Sequence, residues 1–202
     1  MATKERELKL LLKENTYQAL LKDAQKINGK VQQENYYFDT SDLKLEKKGI
    51  TLRFRQEDDR WLLCLKMKNT QNSQSTFVSS LEFESQVSLE IFNKCKSKPS
   101  SIITWLPKEG ASHLNGIAND LKLLGSIKNT RYSLQLFKDL NHSFELDHSL
   151  FPHGMEAFEL EVEGIKNERE SLKIINNIEN LGLDYTVNTK SKYKRFVEAL
   201  LS

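Results

Sequence analysis

The chain has 202 residues, 38% of them hydrophobic and 29% charged, a composition typical of a folded domain rather than a disordered chain. Its 30 Lys and Arg residues nearly balance its 28 Asp and Glu residues, which gives a net charge of +2. That balance argues against a general nucleic-acid or membrane binder, because such proteins normally carry a basic excess. The length favours one domain over residues 1–202.

We expect no targeting signal at the start of this sequence, because charged residues interrupt it from Lys4 onward. No stretch approaches the roughly 18 apolar residues that a membrane span needs. The two cysteines, Cys64 and Cys95, lie far apart, so neither a disulfide framework nor a thiolate zinc site is favoured. We therefore expect a cytoplasmic protein.

Most of the chain alternates apolar and polar residues with a period of two, which predicts β-strands, and shorter parts show helical spacing. The first half contains a strand Lys4–Leu12, a helix from Tyr17 to Ile27 that stops at Asn28-Gly29, and strands Gln33–Asp39, Ile50–Glu57, Arg60–Lys68 and Ser79–Gln86. The second half contains helices Ser88–Lys96 and Leu114–Leu124, strands Gly125–Phe137, Ser143–Phe151 and Glu156–Gly164, and helices Leu172–Leu181, ending at Gly182, and Lys194–Leu201. The polar run Asn69–Thr76 predicts a hairpin loop.

Eight strands with mostly short connections predict an α+β fold. Its antiparallel sheet is expected to curl or close into a barrel, with helices packed outside.

The charged residues of these strands recur at alternate positions, opposite a strongly apolar face. Four such sets occur: Glu5, Glu7 and Lys9; Arg53 and Arg55; Lys66 and Lys68; and Glu159, Glu161 and Glu163. Residues two apart on a strand lie on one side, about 7 Å apart, so each set is a local cluster. The acidic pairs and the basic pairs also lie on different strands.

Two interpretations fit this pattern. A solvated outer face explains polar alternation on any one strand, although like charges repel each other there. Alternatively, the charged faces line the inside of a closed sheet, where they require a counter-charged ligand. Arginine and lysine match phosphate oxygens, and carboxylates match a hard divalent cation. Periodicity alone does not choose between the two.

The ordered set of charged motifs resembles the CYTH family of triphosphate tunnel metalloenzymes, which includes class IV adenylate cyclases, thiamine triphosphatases and inorganic triphosphatases. The E-x-E-x-K pattern of that family stands at Glu5–Lys9. The next four strands of the family resemble NYYFDT (35–40), GITLRFR (49–55), LCLKMK (63–68) and LEFE (81–84). Arg131, Asp147, FELEVEG (158–164) and Lys192 follow in family order, and the overall pattern is most similar to the compact Gram-positive bacterial branch.

The resemblance implies an eight-stranded antiparallel tunnel into which these groups point. It implies that Mg²⁺ or Mn²⁺ is held by Glu5, Glu7, Glu159, Glu161 and Asp147. It implies that a triphosphate is gripped by Lys9, Arg53, Arg55, Lys66, Arg131 and Lys192. Glu82 would orient a basic neighbour or a water, and Lys68 and Lys190 are expected at the tunnel mouth. A plain ion pair at Glu82 and a side-chain-stabilised turn at Asp147 are the alternatives.

Other kinds of site are not indicated. The histidines lack zinc-binding spacing, and no P-loop, dinucleotide-binding or serine-hydrolase motif occurs. Trp61, Trp105 and the aromatic residues of NYYF are expected to pack in the core.

The leading functional hypothesis is metal-dependent hydrolysis of the terminal phosphoanhydride of a triphosphate, either inorganic tripolyphosphate or an organic compound such as thiamine triphosphate. One alternative is a class IV-type adenylate cyclase that makes cyclic AMP from ATP. The other is a non-catalytic polyphosphate or nucleotide sensor. The expected partner is a triphosphate-containing small molecule, not a nucleic acid or a membrane, and a homodimer is left open.

Overall fold

The computed structural model of the chain describes residues 2–69, 75–138 and 140–202. Most of the predicted hairpin loop Asn69–Thr76 lies outside these residues. No helix in the described part is long and apolar enough to cross a membrane.

Eight antiparallel strands form a closed barrel, and a ninth strand lies outside it. The strands are β1 (Thr3–Leu12), β2 (Lys26–Asp39), β3 (Ile50–Glu57), β4 (Arg60–Lys68), β5 (Phe77–Val87), β6 (Lys122–Gln135), β7 (Phe144–Leu150), β8 (Glu156–Glu163) and β9 (Tyr185–Val187). Their order is β5-β4-β3-β2-β6-β7-β8-β1, and pairing of β1 with β5 closes the ring. The first half of β1 pairs with β5, and β9 pairs with β1 beyond that stretch, at Leu10–Leu12. The predicted α+β fold with an eight-stranded antiparallel barrel is confirmed.

Helices connect and cover the strands. They are α1 (Glu14–Asp23), α2 (Lys44–Lys47), α3 (Leu89–Ser97), α4 (Lys108–Ser112), α5 (Glu168–Asn180) and α6 (Lys192–Leu201), with 3₁₀ turns at Pro99–Thr104, Ala118–Asp120 and Pro152–Gly154. The side chain of Asn167 accepts a hydrogen bond from Glu170 N and so caps the start of α5. Gly182, with φ +67°, follows the end of α5, where the sequence predicted a stop.

One predicted helix ends earlier than expected, and another is wrong. The first helix ends at Asp23 rather than Asn28-Gly29, because the chain joins β2 at Lys26 and pairs with β6 through a bulge between Ile27 and Gly29. No helix covers Leu114–Leu124: turns and the short 3₁₀ segment bring Leu114, Ile117 and Leu121 into the core, and β6 starts at Lys122. These apolar residues have helical spacing and are buried, but they do not form a helix. Gly116, with φ +73°, interrupts the helical backbone in this segment.

The apolar faces of the strands point outward, under the helices. One cluster packs β1, β7 and β8 residues such as Leu8, Leu146 and Leu160 against α1 and α5. A second packs β3 and β4 residues such as Phe54 and Leu63 beneath α3 and the segment that follows it. Since side chains alternate along a strand, the charged faces point into the barrel. This orientation is the one that periodicity left open.

The last helix, α6, packs across one end of the barrel. Its Tyr193, Phe196 and Val197 form a third cluster with Tyr37 and Ile127. Tyr37 and Ile127 lie two residues along from the cavity-facing Asn35 of β2 and Asn129 of β6, and so on the same side of their strands. Helix α6 therefore contacts the inner face of the barrel.

Candidate active site

Antiparallel pairing places the charged residues of neighbouring strands side by side. Arg131 on β6 lies opposite Asp147 on β7, which lies opposite Glu159 on β8. Lys9 on β1 lies opposite Glu161 in the same way. The interior is therefore built of acids and bases from adjacent strands.

These side chains surround one cavity of about 700 Å³. Of the predicted site residues, those that line it are Glu5, Glu7, Lys9, Arg53, Arg55, Lys66, Glu82, Arg131, Glu161 and Lys192. Lys68 and Lys190, which were expected at the mouth, also line it, and the side chain of Lys190 is 53% exposed. The structure thus brings together residues from β1, β3, β4, β5, β6, β8 and α6.

Asp147 and Glu159 do not line the cavity but are fully buried, in contact with Lys192, which does line it. Asp147 accepts hydrogen bonds from Arg131 and Lys192, and Glu159 is paired with Lys192 and Arg195. The turn considered for Asp147 is not formed, because the residue lies within β7.

Lysine ammonium groups bridge the carboxylates that face the cavity. Nζ of Lys66 lies 2.6 Å from Glu5 and 3.0 Å from Glu7. Nζ of Lys9 lies 3.2 Å from Glu7 and 3.0 Å from Glu161. Each pair of carboxylates is therefore close enough to reach a common cation.

Glu5 and Glu82 form a carboxyl pair at the side of the cavity, where a hydrogen bond joins them. Burial, together with this hydrogen bond, raises the pKa of Glu5 to about 7. For Glu82, burial acts in the same direction, but the Arg53 charge and the bond to Glu5 outweigh it and lower the pKa. Glu5 is therefore the member of the pair that stays protonated to the higher pH.

The three cavity arginines differ in their partners. Arg131 makes a two-pronged contact with Asp147 and also donates to Glu161 at 2.6 Å. Arg53 lies 3.6 Å from Glu82. In the described residues Arg55 has no carboxylate partner, and its Nε donates only to the amide oxygen of Asn35, at 3.0 Å.

The electrostatic surroundings of Arg55 are correspondingly unfavourable. Burial and the like charges of Arg53 and Arg131 lower the pKa of its guanidinium. A half-buried cation that feels the like charges of two other cations calls for an anion in the space that it faces.

Comparison with known proteins agrees with this architecture. The CYTH domain model matches residues 3–197. The chain belongs to the CYTH family. No curated protein matches it.

Solved structures of other proteins share the fold. One is a Hippeastrum protein named as an adenylyl cyclase, with a dominant triphosphatase activity; it is 22% identical, with a TM-score of 0.73 over 96% of this chain and 95% of that one. A Bacillus halodurans protein named as an adenylate cyclase is 22% identical, with a TM-score of 0.74 over 94% and 95%. A Pyrococcus horikoshii protein is 16% identical, with a TM-score of 0.62 over 96% and 98%.

Sequence analysis missed several polar residues of this CYTH cavity. Asn35 holds Arg55, and Asn129 donates to Asp147 at 3.1 Å. Each lies two residues from another inward-facing residue of the same predicted strand. Once the charged faces are known to point inward, strand alternation therefore predicts that Asn35 and Asn129 point inward as well. Arg195 on α6 had no comparable signal, because helix packing rather than strand alternation brings it to Glu159.

A thiol lies in the same wall. Sγ of Cys64 and carboxylate oxygens of Glu82 and Glu84 lie within 4.8 Å of one another, the one such group of metal-ligand types found in the described residues. Burial raises the pKa of Cys64 to about 11, so the group is a neutral thiol and not a ready metal ligand.

Proposed function

We propose that this CYTH protein hydrolyses the terminal phosphoanhydride bond of a linear triphosphate bound inside the barrel, with Mg²⁺ or Mn²⁺ as cofactor. The observation that carries the proposal is Arg55, a half-buried cation that lines the cavity, lacks a carboxylate partner in the described residues and feels the like charges of two further arginines. A polyanion in the cavity would supply the missing negative charge.

The cationic groups fit phosphate oxygens. Arg53, Arg55 and Arg131 offer planar, two-pronged donors, which match the geometry of phosphate groups. Lys9, Lys66 and Lys192 add movable point charges from three other elements. A linear triphosphate has enough oxygens to contact several of these groups at once.

The acidic groups fit a hard divalent cation. Glu5, Glu7 and Glu161 are oxygen donors, and the lysines that bridge them show that neighbouring carboxylates can reach a common cation. These three residues would hold the metal. When bound, it neutralises charge on phosphate oxygens and lowers the pKa of a water molecule.

The residues of the chain then position the reacting groups. A water oxygen attacks the terminal phosphorus, and the bridging oxygen leaves with the remaining diphosphate. With tripolyphosphate, the products are orthophosphate and pyrophosphate. The arginine and lysine side chains stabilise charge on the equatorial oxygens, and this supplies most of the catalysis in phosphoryl transfer.

Two further observations favour hydrolysis over cyclisation of ATP. The Hippeastrum relative has a dominant triphosphatase activity. In the described part of the cavity wall, the aromatic residues are Tyr37 and Tyr193, which are 1% and 2% exposed and stack on each other. Neither offers a free face to an adenine ring.

The test is phosphate release from tripolyphosphate, thiamine triphosphate, ATP and GTP with Mg²⁺ or Mn²⁺, together with an assay for cyclic AMP from ATP. We expect release from at least one linear triphosphate and a loss of at least about 100-fold in kcat/KM in Arg55→Gln. Arg60→Gln is the matched control, because Arg60 lies on the adjacent strand with a side chain 61% exposed and does not line the cavity. Absence of turnover for every triphosphate, or unaltered turnover in Arg55→Gln, would disprove the proposal.

A further inference from the structure

The first residues of α6 each contact a different part of the barrel. Lys192 reaches the carboxylates of β7 and β8. The hydroxyl of Tyr193 donates to Asp39 at the end of β2, at 2.6 Å. Lys194 pairs with Glu46 on α2, at 2.9 Å. The N-terminus of α6 is therefore tied to both sides of the barrel.

Asp39 is fully buried and accepts four hydrogen bonds. Its Oδ1 accepts from the backbone N–H groups of Thr40 and Leu45, at 2.7 and 2.8 Å. Its Oδ2 accepts from Glu46 N at 2.9 Å and from the hydroxyl of Tyr193. The bonds from Leu45 N and Glu46 N satisfy backbone donors in the first turn of the short helix α2, and the bond from Tyr193 connects this segment to α6.

The Tyr193 side chain is well fixed for this contact. It is 2% exposed, and its ring stacks on Tyr37 with centroids 5.0 Å apart. Burial and the hydrogen bond to Asp39 raise the pKa of Tyr193, so the hydroxyl remains protonated and donates.

Lys192 and Tyr193 are adjacent on the helix, so their side chains leave the axis about 100° apart. Nζ of Lys192 lies 2.7 Å from Asp147, 2.9 Å from Glu159 and 2.6 Å from Glu161. Two anchors in different directions, one buried carboxylate for Tyr193 and three for Lys192, fix the rotation of the helix about its axis.

We propose that Asp39 and Tyr193 are positioning residues for Lys192: their hydrogen bond holds α6 in the rotation that directs the Lys192 ammonium into the cavity. The effect on turnover rests on the proposed function, in which Lys192 contacts the triphosphate. The effect on the position of Lys192 is independent of the proposed function.

The first measurement is independent of any triphosphate. Acetic anhydride modifies lysine amines, and peptide mass spectrometry gives the rate at Lys192 relative to the exposed Lys96 of the same molecule. We expect slow modification in the wild type, because Lys192 is buried among three carboxylates, and a rate at least about threefold higher in Tyr193→Phe, because a displaced amine is less protected. Tyr17→Phe, which alters a buried tyrosine on α1, is the control and keeps the wild-type rate.

The second measurement is a double-mutant cycle on triphosphate turnover. Tyr193→Phe is expected to lower kcat/KM about tenfold in the wild type, since small displacements of a catalytic group are costly. In Lys192→Met it should lower kcat/KM no further, whereas a general loss of stability would lower both backgrounds equally. Phenylalanine keeps the buried ring, and circular dichroism confirms the fold.

The two measurements separate the proposals. If the wild type turns over no triphosphate, the proposed function fails, and the Lys192 rate still decides the positioning role. A Lys192 rate in Tyr193→Phe equal to that of the wild type would refute the positioning role, as would equal losses of kcat/KM in both backgrounds.

Discussion

Arg131 and Asp147 face each other across β6 and β7, and their side chains form a two-pronged contact, with Nε–Oδ1 2.7 Å and Nη2–Oδ2 2.6 Å. Asp147 is fully buried, and Lys192 contacts its second oxygen at 2.7 Å. One buried carboxylate thus holds two of the cationic groups that would contact a triphosphate. Burial raises the pKa of Asp147, but the charges of Arg131 and Lys192 outweigh burial and lower it to about 2.

Asp147→Asn should therefore destabilise the protein, because it removes one of the two buried carboxylates that Arg131 and Lys192 share. Loss of one partner from a buried ion pair costs about 3–5 kcal/mol. Denaturant unfolding at pH 7 measures the loss of stability. Asp184→Asn is the control: Asp184 belongs to an exposed ion pair, so its substitution should change the stability little. Equal stabilities of Asp147→Asn and wild type would contradict the structure.

The same substitution gives a defined pH dependence. The pKa of Asp147 is lower in the folded chain than its usual value of 3.8, so its contribution to stability is complete above that value. It is lost as the pH falls from about 4 to about 2. The difference in unfolding free energy between wild type and Asp147→Asn should therefore be constant at neutral pH and shrink over this acid range.

Glu5 should show the opposite dependence in metal-free protein. Its pKa is raised from 4.5 to about 7, so between these values the folded state binds more protons than the unfolded state. The free energy of unfolding should then fall as the pH rises from 4.5 to 7. Glu5→Gln, which cannot ionise, should lack this fall. If the free energies of unfolding of wild type and Glu5→Gln had the same pH dependence, the raised pKa of Glu5 would be contradicted. Glu90→Gln, on the exposed side of α3, is the control and should keep the pH dependence of the wild type.

Strand alternation predicted much of the barrel and the cavity. Arg53 and Arg55 lie on a strand whose observed bounds, Ile50–Glu57, match the predicted ones, and the same is true of Lys66 on Arg60–Lys68. In both strands the period of two reports directly which residues share a face. It could not report that β1 pairs with β5, because closure depends on contacts between residues far apart in sequence.

The contribution of α6 was predictable only in part. Lys192 was placed by its order in the family pattern, yet neither Asp39 nor Tyr193 carries a periodic signal. Their contact joins residues 154 positions apart and exists only after the helix has packed across the barrel. The helix predicted at Leu114–Leu124 failed for a related reason: spacing shows which residues are buried, not the backbone path that buries them.

Removal of the paired carboxylates of β1 tests the metal assignment. Glu5→Gln with Glu7→Gln removes two ionisable carboxyl groups from the cavity but keeps the size of both side chains. We expect triphosphate turnover to fall by at least about 100-fold while the fold remains intact, since the oxygen ligands proposed for the metal are weakened. Turnover with varied Mn²⁺ and circular dichroism check this. Wild-type rates in the double variant would disprove the metal site. The matched control is Glu90→Gln with Glu109→Gln, which alters two exposed glutamates and should keep the wild-type rate.

The packing of α6 across the barrel depends on a glycine in β6. Gly125 has φ +150°, which L-residues rarely adopt, and a Cβ there would lie 3.2 Å from the Phe196 ring. Gly125→Ala should therefore destabilise the protein by about 1–3 kcal/mol, through backbone strain and crowding of α6. Thermal and denaturant unfolding measure the loss.

Gly29→Ala in β2 is the matched control. A Cβ at Gly29 would meet nothing within 4 Å, and the φ of Gly29 is not positive, so this substitution should be neutral or slightly stabilising. If Gly125→Ala were as stable as Gly29→Ala, Phe196 would not lie against β6, and α6 could not close this end of the barrel as the structure shows.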